Sequence, residues 1–153
     1  APAGEFFLAE HTERPVVLLS GGVGLTPMVA MLEALVEADT DVPVHYIHGT
    51  HNCDTHAMRN HVRDLATKGR AVQVTDFHQT PLGDEVKGLD YDEAGIITDE
   101  WLVANTPVAE ADYYICGPRP FLRHAVSTLS LAGIPSDRIH YEFFGPADEL
   151  LAA

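Results

Sequence analysis

A chain of 153 residues is the size of one domain. With 46% hydrophobic residues it can bury a core, and no apolar run approaches the length needed to span a membrane. The formal net charge of −14, with Lys68 and Lys87 as the two lysines, argues against nucleic acid and anionic membrane as partners. Two cysteines, Cys53 and Cys116, make no disulfide framework, so the default setting is a reduced, cytoplasmic compartment.

The chain opens on Ala1-Pro2 without a starting Met and is expected to be a fragment of a longer polypeptide or a processed form. Residues 1–9 stand outside the rhythm that follows, and Phe6, Phe7 and Leu8 read as the end of a strand from a preceding domain. From Pro15 to Ser20 a short apolar run ends at Gly21-Gly22, which suits a strand covered on both faces of a parallel sheet. Thr26 and Pro27 open a helix, Thr as cap and Pro in the first turn. Met28, Met31, Leu32, Leu35 and Val36 form its apolar face.

Val44 to His48 is a second strand. Asp54 or Thr55 is expected to cap a second helix with Met58, Val62, Leu65 and Ala66 inward, stopped by Gly69. Ala71 to Phe77 is a third strand, Gln79 to Asp92 a polar loop, and Ile96-Ile97 a brief apolar piece before a short helix near Asp99 to Val103. A fourth strand, Asp112 to Cys116, stops at Gly117-Pro118. Phe121, Leu122, Ala125, Val126 and Leu129 mark a third main helix ended by Gly133 and Pro135, and Ile139 to Phe144 is the last strand.

Strands alternating with helices predict an α/β fold, a doubly wound parallel sheet of five strands in the order 3-2-1-4-5 with helices on both faces. Residues 10–147 form that domain, and 148–153 are expected to be a disordered tail.

The run Gly21-Gly22-Val23-Gly24-Leu25-Thr26-Pro27 joins a strand to a helix. Glycines let the backbone turn sharply and approach a diphosphate, and the helix N-terminus offers it free N–H groups. Pro27 stands where a third glycine of G-x-G-x-x-G would be, and a tight turn without ligand is the plainer alternative. Cys116-Gly117-Pro118 ends the fourth strand, and in the order 3-2-1-4-5 both turns rim the switch point where ligands bind. Cys116 alone is equally an ordinary buried thiol.

His140, Glu142 and Phe144 share one face of the last strand, which either serves a flat aromatic cofactor or is the wet face of an edge strand. The spacings of His48, His51, His56 and His61 fit no zinc pattern, and surface or loop positions are expected for them. No metal site is expected. The pattern G-x-S-x-G is absent.

Gly21 to Met28, His48-Gly49-Thr50, His56-Ala57-Met58-Arg59, Tyr113 to Pro118 and Ile139 to Pro146 together resemble the nicotinamide-binding domain of flavohaemoglobins. These are the nitric oxide dioxygenases, of the ferredoxin–NADP reductase superfamily. The match runs in order across nearly the whole chain, and the opening Ala1 to Leu8 is similar to the last strand of that family's flavin barrel.

The resemblance implies that Gly21, Gly22, Val23, Gly24, Leu25 and Thr26, followed by Pro27, cradle the pyrophosphate and nicotinamide side of the dinucleotide. It places the adenosine half at His48 and Gly49. It sets Cys116 against the nicotinamide ring, with Gly117 and Pro118 shaping the floor and Phe121 following them. Phe144 covers the flavin ring, Glu142 tunes its redox behaviour, and Phe143, Gly145 and Pro146 form a rim on it. The implied partners are a flavin-binding barrel carrying FAD and a globin domain carrying haem, both in the parent polypeptide. Electrons then run from NADH to flavin to haem, and nitric oxide leaves as nitrate.

Two positions depart from the family's usual pattern: His51 stands where Arg is common, and Phe143 where Cys or Val is common. The flavin-barrel Arg-x-Tyr-Ser motif and a globin are absent from this sequence. Thr50 to Asp54 offers no Arg or Lys to a 2′-phosphate, so NADH is expected over NADPH. The alternatives are the same domain of another flavin reductase feeding an iron–sulfur or oxygenase partner, and a non-catalytic nucleotide-binding module.

The acidic balance is either an ordinary solvated surface or an adaptation to high salt. Adaptation requires the melting temperature to rise as salt is taken to molar concentration, and a flat or falling temperature in a thermal scan discards it.

Overall fold

The computed structural model describes residues 13–22 and 25–143. The sequence readings for residues 1–9, Val23, Gly24, Phe144, Gly145, Pro146 and the tail lie outside the described residues. In chain order the elements are β1 (Val16–Gly21), α1 (Thr26–Glu37), β2 (Val44–Thr50), α2 (Arg59–Lys68), β3 (Val72–His78), β4 (Glu93–Ala94), α3 (Asp99–Asn105), β5 (Asp112–Gly117), α4 (Arg119–Leu131) and β6 (Ile139–Phe143). The strands form one sheet in the order β4-β3-β2-β1-β5-β6, and every ladder is parallel.

The predicted winding is present, with one strand more than the five expected. β4 is two residues long and pairs with the end of β3, Phe77 with Glu93 and His78 with Ala94. Main-chain bonds from Asp92 N to Asp76 O and from Gly95 N to His78 O brace it. Glu-Ala has no strand preference of its own, and the strand exists because the end of β3 offers unpaired main chain.

Burial follows from alternation along the strands. Val16 and Leu18 of β1 face a cluster with Met28 and Leu32 of α1 and Val62 and Leu65 of α2. Val17 and Leu19 face a second cluster with Leu102 of α3 and Leu122, Ala125 and Leu129 of α4. β1 is therefore covered on both sides, which explains its unbroken apolar run. Each fully buried Val or Leu contributes about 1.5–3 kcal/mol.

The helix starts differ from their predicted signals. Leu25 holds the cap position of α1 with no side-chain hydrogen bond, and Thr26 is already helical. Asn52, not Asp54 or Thr55, caps a short turn at Cys53–Thr55 by accepting from Asp54 N at 2.9 Å. α2 starts later, after Met58, which takes a left-handed conformation (φ 58°). That conformation turns Met58 outward, 44% exposed, where an inward position was expected. Gly133 behaves as read: at φ 91° it follows α4, and its N–H closes on Ser130 O.

The expectation of surface or loop histidines fails at His48, a strand residue 1% exposed; His56 is in a loop but its side chain is 3% exposed, and His51 and His61 are exposed. Side-chain alternation puts His48 on the α1–α2 side, in a polar row that crosses the sheet: Asp76, His48, Ser20, Cys116 and Glu142, register partners on successive strands. Ser20 Oγ lies 2.8 Å from His48 Nδ1. Burial, then the nearby His56, pushes the His48 imidazolium down to about 4 from 6.5.

Stability from His48 is therefore complete above pH 6.5 and is lost as pH falls toward 4, because the unfolded chain takes up a proton that the folded chain refuses. From pH 6.5 to about pH 5 this one group removes about 2 kcal/mol. Urea unfolding of His48→Gln, which can still bond Ser20, is expected to show a slope shallower by that amount than the parent chain.

Candidate functional site

β1 and β5 end on a glycine, and β2 carries one at its last position but one. Gly49 pairs with Gly21 in the ladder, and Gly117 lies beside Gly21, so three residues without side chains stand next to one another at the carboxyl edge of the sheet. A Cβ on Gly21 would stand 2.7 Å from the Phe121 ring, and one on Gly117 2.8 Å from the same ring and 3.3 Å from Gly21 O. A Cβ on Gly49 would meet Ile97 at 3.3 Å. The absent side chains are thus what lets Phe121, in the first turn of α4, and Ile97, before α3, lie over the strand ends. Gly22 continues the turn at φ 61°, a conformation costly for any other residue, and its N–H donates to Gly49 O at 2.9 Å.

Above this floor lies a cleft of about 450 Å³ between the strand ends and α3 and α4, within the range of small-molecule sites. Gly21, Gly22, Gly49, Pro118 and Phe121 line it, as do Ile96 and Ile97. Gln79, His51 and Thr50 close one end. Asp99 stands at the mouth, where its carboxylate accepts from His124 Nε2 at 2.6 Å and from Thr128 Oγ1 at 2.7 Å. Among the described residues that line the cleft there is no Lys or Arg.

The structure therefore gathers five of the predicted site residues in one cleft, with Gly117 packed beneath Phe121. It places others elsewhere. His48 is corrected: strand alternation turns its side chain away, and only the main chain around Gly49 reaches the cleft. Leu25 is buried in the α1-side core, and Thr26 is exposed beside it. Cys116 is fully buried on the α1 side, opposite Ser20 and Glu142 in the ladders. Burial, and then the Glu142 charge, pushes its thiol up to about 12, so it stays protonated at neutral pH and is no nucleophile. Glu142 is half-buried, and Phe143 pairs with Gly117 in the main chain.

The sequence reading missed the wall from Gly95 to Asp99 and the His124–Asp99–Thr128 cluster. Phe121, His124 and Thr128 recur at helical spacing, which marks them as one face of α4. Nothing local marks Asp99 as their partner.

A family model for the oxidoreductase NAD-binding domain matches residues 18–127. A flavohemoprotein of Xylella fastidiosa is 53% identical over 152 residues, 99% of this chain and 37% of its own length. One of Bacillus cereus is 42% identical over 150 residues, 98% of this chain and 37% of its own length. The chain thus spans 37% of the length of these curated relatives.

Among solved structures, the flavohem-like FAD/NAD-binding domain of nitric oxide dioxygenase from Vibrio cholerae superposes with a TM-score of 0.76 at 29% identity, over 92% of this chain and 55% of that chain. The flavohemoglobin of Malassezia yamatoensis, solved with bound FAD and heme, gives 0.75 at 28% identity, over 90% of this chain and 33% of that chain.

Gly117→Ala forces the Phe121 ring off its seat and is expected to cost about 1–3 kcal/mol in urea unfolding. Adding Phe121→Leu vacates ring volume and should recover part of that loss. Simple additivity of the two substitutions would show that the glycine and the ring are not coupled.

Proposed function

The chain belongs to the oxidoreductase NAD-binding domain family, and from that premise we propose that it holds NADH across the carboxyl edge of its sheet and presents it to a flavin. In this reading it is the reductase module of a flavohaemoprotein that converts nitric oxide to nitrate. The FAD is held mainly by a barrel domain of the parent polypeptide, and the haem by its globin domain. The observation that carries the reading is the glycine floor of Gly49, Gly21 and Gly117, filled from one side by Phe121. It is a cradle that any Cβ would occupy, at the point where the connections of β1 and β5 leave for opposite faces.

The residues present fit the dinucleotide. The apolar surfaces of Phe121 and Ile97 take the adenosine half, and the turn at Gly21-Gly22 lets a diphosphate approach main chain without meeting a side chain. The bound nicotinamide supplies a hydride. Cys116, a neutral thiol buried on the α1 side just before Gly117, and Glu142, its ladder partner, are the residues assigned by the resemblance to the redox end of the dinucleotide. The resemblance assigns Val23, Gly24, Leu25, Thr26 and Pro27 to the dinucleotide, and Phe143, Phe144, Gly145 and Pro146 to the flavin.

The relatives' common name, flavohemoprotein, favours this reading over the same domain in another flavin reductase and over a module without catalysis. No helix among the described residues is long and apolar enough to cross a membrane. The cytoplasmic setting is proposed with the rest and is supported by two cysteines that are both free.

Nucleotide choice follows from charge. The cleft brings a carboxylate at Asp99 and no Lys or Arg among its described lining residues, so a 2′-phosphate finds no cationic partner there. Calorimetric titration of the chain should give NADH an affinity at least about tenfold above that of NADPH; equal affinities count against the assignment. Mixing NADH with the longer polypeptide should bleach the flavin absorbance, and a flavin left oxidised would overturn the reductase role.

A further inference from the structure

Beyond its charge, Asp99 brings a fixed hydrogen-bond geometry to the cleft. It opens α3, whose cap Thr98 accepts from Trp101 N at 3.1 Å. Asp99 Oδ1 accepts from Thr128 Oγ1 of α4 at 2.7 Å and lies 2.6 Å from His124 Nε2. Two helices therefore hold the carboxylate in place, and both contacts fall on one oxygen. Oδ2 has no protein partner among the described residues, and the side chain stays half-exposed.

The polar side chains around it are committed. Thr128 and His124 turn toward Asp99, Thr98 serves the cap, and Thr50 Oγ1 is tied to Thr55 Oγ1 at 2.7 Å. His51 and Gln79 close one end of the cleft. Asp99 is the one acidic residue among the described lining residues, and a carboxylate is an acceptor only. The walls beside it are apolar: Phe121, Ile97 and Ile96, the last an isoleucine left 59% exposed. A site of this make takes a flat apolar ring that carries a hydrogen-bond donor on its edge.

The run of α4 says which edge. α4 starts where β5 ends and returns along the sheet, since β6 pairs parallel with β5. Phe121 sits in its first turn, against Gly21. His124 and Thr128 follow on the same face, about 4.5 Å and about 10 Å farther along the axis. A diphosphate at the Gly21-Gly22 turn puts the ribose next and the base farthest in that direction. On adenine the amine is carried by the six-membered ring, remote from the ribose bond. Asp99, held by His124 and Thr128, thus faces the far edge of the base and not the ribose beside the turn.

We propose that Asp99 is a specificity-determining residue that reads the base: Oδ2 accepts a hydrogen bond from the exocyclic 6-amino group of adenine, with the ring seated between Phe121 and Ile96-Ile97. The inference rests on the reading of the cleft as the NADH site and adds to it a choice between 6-amino and 6-oxo purines. A 6-oxo base sets an oxygen lone pair against the carboxylate, and two acceptors then face each other with no proton between them.

The test titrates the chain calorimetrically with NADH and with reduced nicotinamide hypoxanthine dinucleotide, which differs in carrying a 6-oxo group and a proton on N1. NADH is expected to bind about fivefold more tightly, a modest ratio because the carboxylate is half-exposed. Asp99→Asn supplies a readout that a merely structural residue would not move. Its Oδ1 still accepts from Thr128, which turns the amide N–H toward the base, so the preference is expected to reverse in favour of the 6-oxo dinucleotide. A structural Asp99 would weaken both dinucleotides alike and leave their ratio as it was, and that result overturns the proposal. Equal affinities in the parent chain, or tighter binding of the hypoxanthine form, overturn it too, and that comparison needs no variant to fold. If neither dinucleotide binds, the NADH reading fails and this one falls with it; if both bind alike, the NADH reading stands and this one alone fails.

Discussion

The Phe121 ring rests where two side chains would otherwise stand. Gly21 and Gly117 come from strands far apart in sequence, and only the crossing of the chain to both sides of β1 makes them neighbours. Their closeness fixes how near α4 sits to the strand ends and hence how wide the cleft opens. The wall at Ile97, the mouth at Asp99 and the turn at Gly22 are all set relative to that contact. Backbone, not side-chain chemistry, is the surface offered to a ligand here, consistent with a phosphate that binds N–H groups.

The two sides of the sheet are specialised one residue apart. Strand alternation sends Ser20, His48 and Cys116 into the α1–α2 side, while the glycines that follow each of them open the α3–α4 side. A polar row thus lies directly behind a bare one. Within the polar row Ser20 bonds His48 and Asp76 bonds Arg63, and such buried polar groups tolerate few arrangements. The row holds the strand ends still from behind, so the front needs no side chains of its own to stay in shape.

Much of this was legible in the residues. The order of the sheet, the helices on both faces and the meeting of the two glycine turns follow from strand–glycine–helix spacing, because a parallel winding leaves little choice about which ends become adjacent. The start of α2 was not legible: the left-handed Met58 is set by how the chain leaves the Cys53–Thr55 turn, and no periodicity announces it. The burial of His56 is hidden for the same reason, since a residue in a turn has no face to assign. The pairing of Asp99 with His124 and Thr128 joins elements far apart in the chain. It becomes visible only once α3 and α4 are seated side by side.

A floor made of missing atoms has a lopsided relation to mutation. No substitution can remove a side chain from Gly21, Gly49 or Gly117, and every available change adds one, so drift acts on this surface in one direction only. The rim, by contrast, is built of ordinary side chains such as His51 and Gln79 that exchange freely. Descendants of such a domain would keep the same bare centre while changing what they prefer to hold at its border.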